Sequence, residues 1–103
     1  ADFVEMLERA GPFGAGAPQP RFALADVRVR NARRVGQNHL SLRLGDGPAQ
    51  IQGMAFGAFD GPMGTALSAG DGQNWHIAGR LEIDDWGGRR KARLRIEDAA
   101  PAN

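Results

Sequence analysis

Ten residues near the C-terminus, Trp86-Gly87-Gly88-Arg89-Arg90-Lys91-Ala92-Arg93-Leu94-Arg95, hold five of the chain's thirteen basic side chains, although its formal net charge is only +1. Alternate residues of an extended chain share a face, so Arg89, Lys91, Arg93 and Arg95 form one basic ridge while Ala92, Leu94 and Ile96 point the other way. Like charges at that spacing repel unless an anion relieves them. The chemistry on offer is therefore the binding of phosphate or carboxylate. Arg33 and Arg34 offer the same earlier in the chain, with Arg21, Arg28, Arg30 and Arg43 around them. Residues 44–88 instead carry Asp46, Asp60, Asp71, Glu82, Asp84 and Asp85 against Arg80 alone. Screening limits the reach of a charge to about 10 Å in ordinary salt, so these local blocks matter more than the total. Trp86, at the head of the ridge, places a ring where it stacks on an unpaired base or packs over the glycines.

Other chemistries find little support. Gly14 and Gly16 come after no strand, Pro18 and Pro20 lie just beyond them, and no Gly-Lys-Ser/Thr occurs, which argues against a phosphate loop. His39 and His76 have no cysteine and no well-spaced acids to complete a metal site. The pair Asp84-Asp85 needs only to favour a turn and offset nearby arginines. No serine–histidine arrangement suggests a nucleophile. The chain carries nothing that reads as an active site, and no cofactor is expected in it.

The elements that must position the ridge are strands. The first residues form a short helix, with Asp2 as cap, Glu5 completing a capping box, and Phe3, Met6, Leu7 and Ala10 on one face; Gly11 and Pro12 end it. GPFGAGAPQPRF then reads as an ordered Gly/Pro connector. From Arg21 the period becomes two. The first strand spans about Arg21 to Arg34, with Val27 and Val29 inward, Arg28 and Arg30 outward, and a bend or bulge near Asn31. After a turn at Gly36–Asn38, a second strand buries Leu40, Leu42 and Leu44 and exposes His39, Ser41 and Arg43. Gly45–Pro48 turns into a third strand, Ile51 to Phe56. A loop from Gly57 to Gly72 holds one helical turn around Thr65 to Ser68. The fourth strand, Trp75 to Ile83, places Trp75, Ile77, Gly79, Leu81 and Ile83 inward. Asp84 to Gly88 form a tight turn, and Arg89 to Ile96 the fifth strand. Phe56 and Phe59 border the third strand and are further candidate stacking platforms, with core packing the expectation for Phe56.

Five antiparallel strands with the longest break after the third match an all-β, five-stranded Greek-key OB-fold barrel, in which a helix often occupies that break. A meander or SH3-like barrel shares most of these signals, and the position of the break separates them. In this architecture the turns after strands one and four flank the face that binds oligonucleotides. They carry Arg33 and Arg34 and Arg89 to Lys91. The alternative is a solvated outer face balanced by Glu82 and Asp84.

The whole chain, 103 residues with 42% hydrophobic content, suits one small domain. It has no cysteine, which is compatible with the cytosol. No apolar run approaches the roughly 20 residues of a membrane span, and the start lacks the pattern of a signal peptide. A soluble, cytoplasmic protein with no membrane partner is expected. The chain begins with alanine inside what reads as a helix-to-connector passage, so it reads as part of something longer. Residues 1–20 are then the helix and connector from a preceding domain, and residues 21–101 the nucleic-acid-binding domain.

The stretches NHLSLRL, IQGMAFG and RLEIDDWGGRRKARLRIED, preceded by GPFGAGAPQPRF, resemble the C-terminal OB region of the RecJ family, single-stranded-DNA-specific 5′ to 3′ exonucleases of bacterial recombination and repair. The similarity runs from about Leu7 to Pro101. Its most specific parts are the Pro-Phe-Gly-x-Gly connector, the His-Leu-x-Leu-x-Leu strand, the Ala-Phe-Gly end of strand three, and Trp-x-Gly-Arg-Arg leading to Ile-x-Asp. This chain has Ala17 and Gly87 where the family usually has asparagine, and Arg93 where it tends to carry glutamine. The resemblance implies that catalytic manganese or magnesium is held by DHH motifs of upstream domains, none of which is present here. It implies a DNA-gripping accessory domain, not itself hydrolytic, whose partners are single-stranded DNA and those upstream catalytic domains. The expected contact residues are Arg33, Arg34, His39, Arg43, Trp86, Arg89, Arg90, Lys91 and Arg93. The competing expectation is a protein-docking module that positions the nuclease domains or binds a partner.

Overall fold

The structure, a computed structural model, describes Phe3, Glu5, Met6, residues 20–86 and residues 89–102, with the side chains of residues 46, 84–86, 89 and 90 outside the description. Five strands, β1 (Arg21–Val35), β2 (His39–Asp46), β3 (Ala49–Ala55), β4 (Asn74–Trp86) and β5 (Arg89–Pro101), close into a barrel in the order β1-β2-β3-β5-β4. All neighbours are antiparallel except β3 and β5, which run parallel. This is the five-stranded OB-fold barrel expected from the sequence.

The core arises from the period of two. Leu24, Val27, Val29, Leu40, Leu42, Leu44, Ile51, Ile77, Leu81, Leu94 and Ile96 all point inward and are buried. β1 must serve two neighbours. Its first half, from Arg21, pairs with β4, and its second half, to Val35, pairs with β2. Two bulges let it bend between them, one between Leu24 and Val27 and one between Arg30 and Arg33. Each contains a residue at positive φ, Asp26 at 59° and Asn31 at 56°; aspartate and asparagine tolerate this region better than other side chains. The bulge at Asn31 is the one expected from the sequence, and the one at Asp26 is additional. Each extra residue reverses the facing of the residues after it. Val27 therefore continues the inward row that Leu24 starts, and Arg28 and Arg30 stay outside.

Between β3 and β4 lie a 3₁₀ turn, Ala58–Asp60, and helix α1, Pro62–Ala69, more helix than the single turn expected. Pro62 opens α1 where its missing N–H costs nothing. Leu67 is fully buried in the barrel core, and the Trp75 indole donates to the Gly70 carbonyl at 3.3 Å. We expect Leu67→Ala to destabilise the domain by about 2–5 kcal/mol, the usual cost of emptying a filled leucine site, measurable by urea denaturation. Phe3 and Met6, both helical, are buried in the same core cluster. Asp2, Leu7, Ala10 and the connector of residues 11–19 lie outside the described residues.

Three expectations need correction. Ser41, expected to be exposed, is buried at 8%, because its small side chain sits between Arg33 on β1 and Met54 on β3. Asp84 and Asp85 are not turn residues. The β4–β5 ladder runs on through them to the pair Trp86–Arg89, because cross-strand pairing continues beyond the barrel wall; of the expected turn, Gly87 and Gly88 lie outside the described residues. Ile83, expected inward, is 37% exposed. The Leu81 amide donates to the Pro20 carbonyl; from the pair Ile83–Ala92 outward, among the described residues, β4 and β5 pair only with each other, as a two-stranded arm, and leave Ile83 part exposed.

Candidate nucleic-acid interface

The register carries the outer side chains of four strands into rows. Arg33 on β1 faces Ser41 on β2, which faces Met54 on β3, which faces Arg95 on β5. Below it runs a second row, Arg30, Arg43, Gln52 and Arg93, in the same strand order. Neighbouring strands lie ~4.8 Å apart, so both rows are continuous surfaces. Arg30 and Arg43 are directly opposed like charges, an arrangement that costs stability. Among the described residues no carboxylate forms an ion pair with Arg30, Arg33 or Arg43.

The β5 ridge is better balanced than the β1–β2 face. Glu82 on β4, its side chain 17% exposed, accepts from Arg93 Nε at 3.0 Å and lies 3.7 Å from Arg95 Nη1. Expected neutralisation by Glu82 is therefore present at these two arginines, while Asp84's side chain lies outside the described residues. Such surface pairs contribute little to stability, about 0–1 kcal/mol; their effect here is to aim the guanidinium groups.

Their target is Phe56. Its ring, expected in the core, is 38% exposed, because β3 ends at Ala55 and Gly57, at φ 67°, turns the chain away. The guanidinium carbons of Arg95 and Arg93 lie 4.8 and 5.3 Å from the Phe56 centroid. His39 meets the same ring edge-on at 5.3 Å, with 68° between planes. The Gly57 amide donates to His39 Nδ1 at 2.9 Å, which places the ring proton on Nε2 and fixes the imidazole against Phe56. An aromatic ring beside two guanidinium groups, next to arginines that among the described residues pair with no carboxylate, can hold a base on the ring and phosphates on the guanidinium groups.

The expected contact residues divide into groups. Arg33, Arg43 and Arg93 lie on this face, and His39 borders it through Phe56. Arg34 does not join them: the bulge at Asn31 puts it at the barrel mouth, where its guanidinium stacks 4.6 Å over Phe59 and its Nε donates to the Gln37 carbonyl. Lys91 is exposed on the β4–β5 arm, opposite Asp84 in the ladder. The backbones of Trp86, Arg89 and Arg90 belong to the outer end of that arm, but the stacking and charge contacts expected of them rest on side chains outside the described residues. Arg30, Arg95, Gln52 and Phe56 join the face without belonging to the expected set. The alternation already points Arg30 and Arg95 outward; the exposure of Phe56 depends on where β3 stops, which an apolar pattern does not mark. Among the described residues, no three His, Asp or Glu side chains gather into a metal site, and no helix is long and apolar enough to cross a membrane.

Comparison with known proteins agrees with this architecture. The family model described as the RecJ OB domain matches residues 1–98. The single-stranded-DNA-specific exonuclease RecJ of Dickeya dadantii is 33% identical over 101 residues, covering 95% of this chain and 16% of that protein. RecJ of Bacillus subtilis is 26% identical over 99 residues, covering 94% of this chain and 12% of that protein. The chain thus spans less than a fifth of these relatives. Among solved structures, the asparaginyl-tRNA synthetase of Pyrococcus horikoshii, complexed with asparaginyl-adenylate, superposes with a TM-score of 0.64 over 82% of this chain and 19% of that one. At 17% identity this similarity concerns the barrel alone.

Proposed function

The chain belongs to the RecJ OB domain family, and from that premise we propose that it grips single-stranded DNA for a RecJ-like 5′ to 3′ exonuclease of DNA recombination and repair. Residues 21–101 are the binding domain and residues 1–20 the link to the preceding one. The catalytic chemistry, with its manganese or magnesium, belongs to upstream domains in the cytoplasm, and this piece hydrolyses nothing by itself. The observation that carries the reading is the exposed Phe56 ring with the guanidinium groups of Arg93 and Arg95 over it, next to Arg30, Arg33 and Arg43, which among the described residues pair with no carboxylate. Arg33, Arg43 and Arg93, joined by Arg30 and Arg95, take the phosphate backbone. Arg89, Arg90 and Lys91 extend the grip along the arm, Trp86 stacks a further base at its outer end, and Arg34 and His39 brace the near end. Grip of this kind is nearly blind to sequence.

The test is fluorescence anisotropy of labelled oligo-dT and of its duplex, repeated over a salt series. Preference for the single strand is expected, with log affinity falling against log salt by about 0.7 per phosphate contacted. Absence of binding at low salt, together with capture of the upstream domains through the same arginines, would instead make this a docking surface. Phe56→Ala is expected to weaken oligo-dT binding by about 1–3 kcal/mol, the range for losing one base stack, with little change in melting temperature because the ring is already partly outside. Phe56→Trp should retain affinity. Equal affinity for the wild-type and Phe56→Ala proteins would remove the platform from the reading.

A further inference from the structure

A groove of about 370 Å³ opens at the far end of the arginine rows, where β1, the β2–β3 turn and the start of β4 meet, and Arg28, Arg30 and Arg43 line it with Gln50, Asn74 and Asp26. Two of these side chains are ordered by a relay that the Phe56 face does not use. The Asp26 amide donates to His76 Nδ1 at 3.1 Å, and the Asp26 carboxylate accepts from Asn74 Nδ2 at 2.8 Å. Asn74 Oδ1 in turn accepts from Arg28 Nε at 3.3 Å. The amide of Asn74 is thereby held with its oxygen toward Arg28. Arg28 is tethered by one nitrogen, and among the described residues its terminal nitrogens have no carboxylate partner. An exposed arginine ordinarily loses considerable rotamer freedom when it is ordered; here the bulge at Asp26 orders it in the free molecule.

Next to it stand Arg30 and Arg43, opposed across the β1–β2 ladder. Three guanidinium groups and the Gln50 amide thus line a concave site in which the Asp26 carboxylate is already engaged. Gly47, which has φ 64°, also lines the groove and adds no side chain to it. Planar forks of N–H donors around a concave site match the oxygens of a phosphate group better than those of a single carboxylate.

We propose that this groove is a second phosphate-binding site, built by Arg28, Arg30 and Arg43 and positioned by the Asp26–Asn74 relay. The proposal rests on the single-strand reading for its ligand's source: the strand that stacks on Phe56 continues along the row Arg93–Gln52–Arg43–Arg30 and leaves a phosphodiester in the groove. The row crosses three strand steps of ~4.8 Å, and Arg28 lies two residues of ~3.3 Å farther along β1, so the path is roughly 20 Å. A free phosphate or the phosphate of a mononucleotide is the other source of the same chemistry.

The experiment compares this chain with its Arg28→Gln variant, using labelled oligo-dT of about 2 nucleotides, too short to span that path, and of about 16, the upper end of site sizes for one OB-fold. The variant is expected to bind the long strand about tenfold more weakly, and the short strand as the wild type does. Arg28→Lys should recover only part of the loss, and Asn74→Ala should reproduce part of it while the melting temperature stays within a few degrees. Equal loss at both lengths would overturn the second site and assign Arg28 to the Phe56 face. Unchanged binding at both lengths would also overturn it. In parallel, inorganic phosphate is titrated while the arginine Nε–Hε signals are monitored by NMR. If no oligonucleotide binds yet the Arg28, Arg30 and Arg43 signals shift together, the groove stands as a phosphate site and the single-strand reading fails. If these signals do not respond and Arg28→Gln is silent, the groove itself is refuted.

Discussion

Replacing Arg33 and Arg43 together by glutamate will weaken binding of single-stranded DNA by about a hundredfold or more at moderate salt, while the melting temperature stays level or rises slightly. Two phosphate contacts are lost, so the slope of log affinity against log salt should shrink by about 1.4, at roughly 0.7 per contact. Reversal adds repulsion toward the remaining backbone. The fold responds in the opposite sense. Arg43 faces Arg30 across the ladder, and glutamate there turns a like-charge pair into an opposite-charge one, a change of about 0.2–1 kcal/mol in favour of the folded state. Arg33 faces the neutral Ser41, so its reversal perturbs little. Anisotropy and thermal denaturation on the same samples check both halves. A parallel fall in affinity and stability would mean that these arginines hold the barrel together and are not reserved for a ligand.

A large loss of stability is also expected at Gly79, by overfilling where Leu67→Ala acts by emptying. Alanine there should cost about 3 kcal/mol, the upper part of the usual range for overpacking, lowering the melting temperature by roughly 10–25 °C at 4–8 °C per kcal/mol for a domain of this size. Gly79 is buried and faces inward at the irregularity in the β4–β5 ladder. An added Cβ would overlap the Arg95 carbonyl oxygen and lie 3.0 Å from its carbonyl carbon and 3.2 Å from Ile96 Cα. These are backbone atoms and cannot rotate aside, so the two strands must part. At Gly53, by contrast, the atoms met are side-chain ends of Leu42, Ile96 and Leu44, at 2.8–3.3 Å, which can repack at lower cost. Circular dichroism melts of Gly79→Ala and Gly53→Ala test the ranking, and a Gly79→Ala protein melting near the wild type would contradict the register of β4 on β5.

Much of the barrel was legible because burial on one face of a strand imposes a period of two. The stretch from His39 to Leu44 announces its inward side directly, and so do Ala92, Leu94 and Ile96, which leave Lys91 and Arg93 to face outward. The bulge at Asn31 was legible from the length of β1, too great for one straight strand in a small barrel. The bulge at Asp26 was hidden, since Ala23 and Ala25 are small enough to suit either face. Ser41 misled for a related reason: alternation tells which way a side chain points, and larger neighbours on adjacent strands decide whether water reaches it. The candidate site was legible as charge and illegible as geometry. Basic residues can be counted along the chain, but the opposition of Arg30 to Arg43 and the engagement of both Arg93 and Arg95 by Glu82 exist only once strands distant in sequence are paired. Phe56 required knowing that Gly57 takes a left-handed conformation and swings the ring outward.

The barrel closes along a short seam, where Gln52 to Met54 pair with Arg93 to Arg95. Segments so far apart in sequence come together only after a large loss of chain entropy, which places this closure among the slow steps of folding, and a short parallel contact has few hydrogen bonds to keep it shut once formed. A strand of DNA lying from Arg43 to Arg93 would bridge β2 and β5 across that seam. Whatever binds only the closed state lowers the population of the open one by mass action. Substrate on the face would then act as a clasp on the fold beneath it, and the amide protons of Gln52 to Met54, exchanging more slowly with solvent when the face is occupied, would record what fraction of the molecules hold a strand.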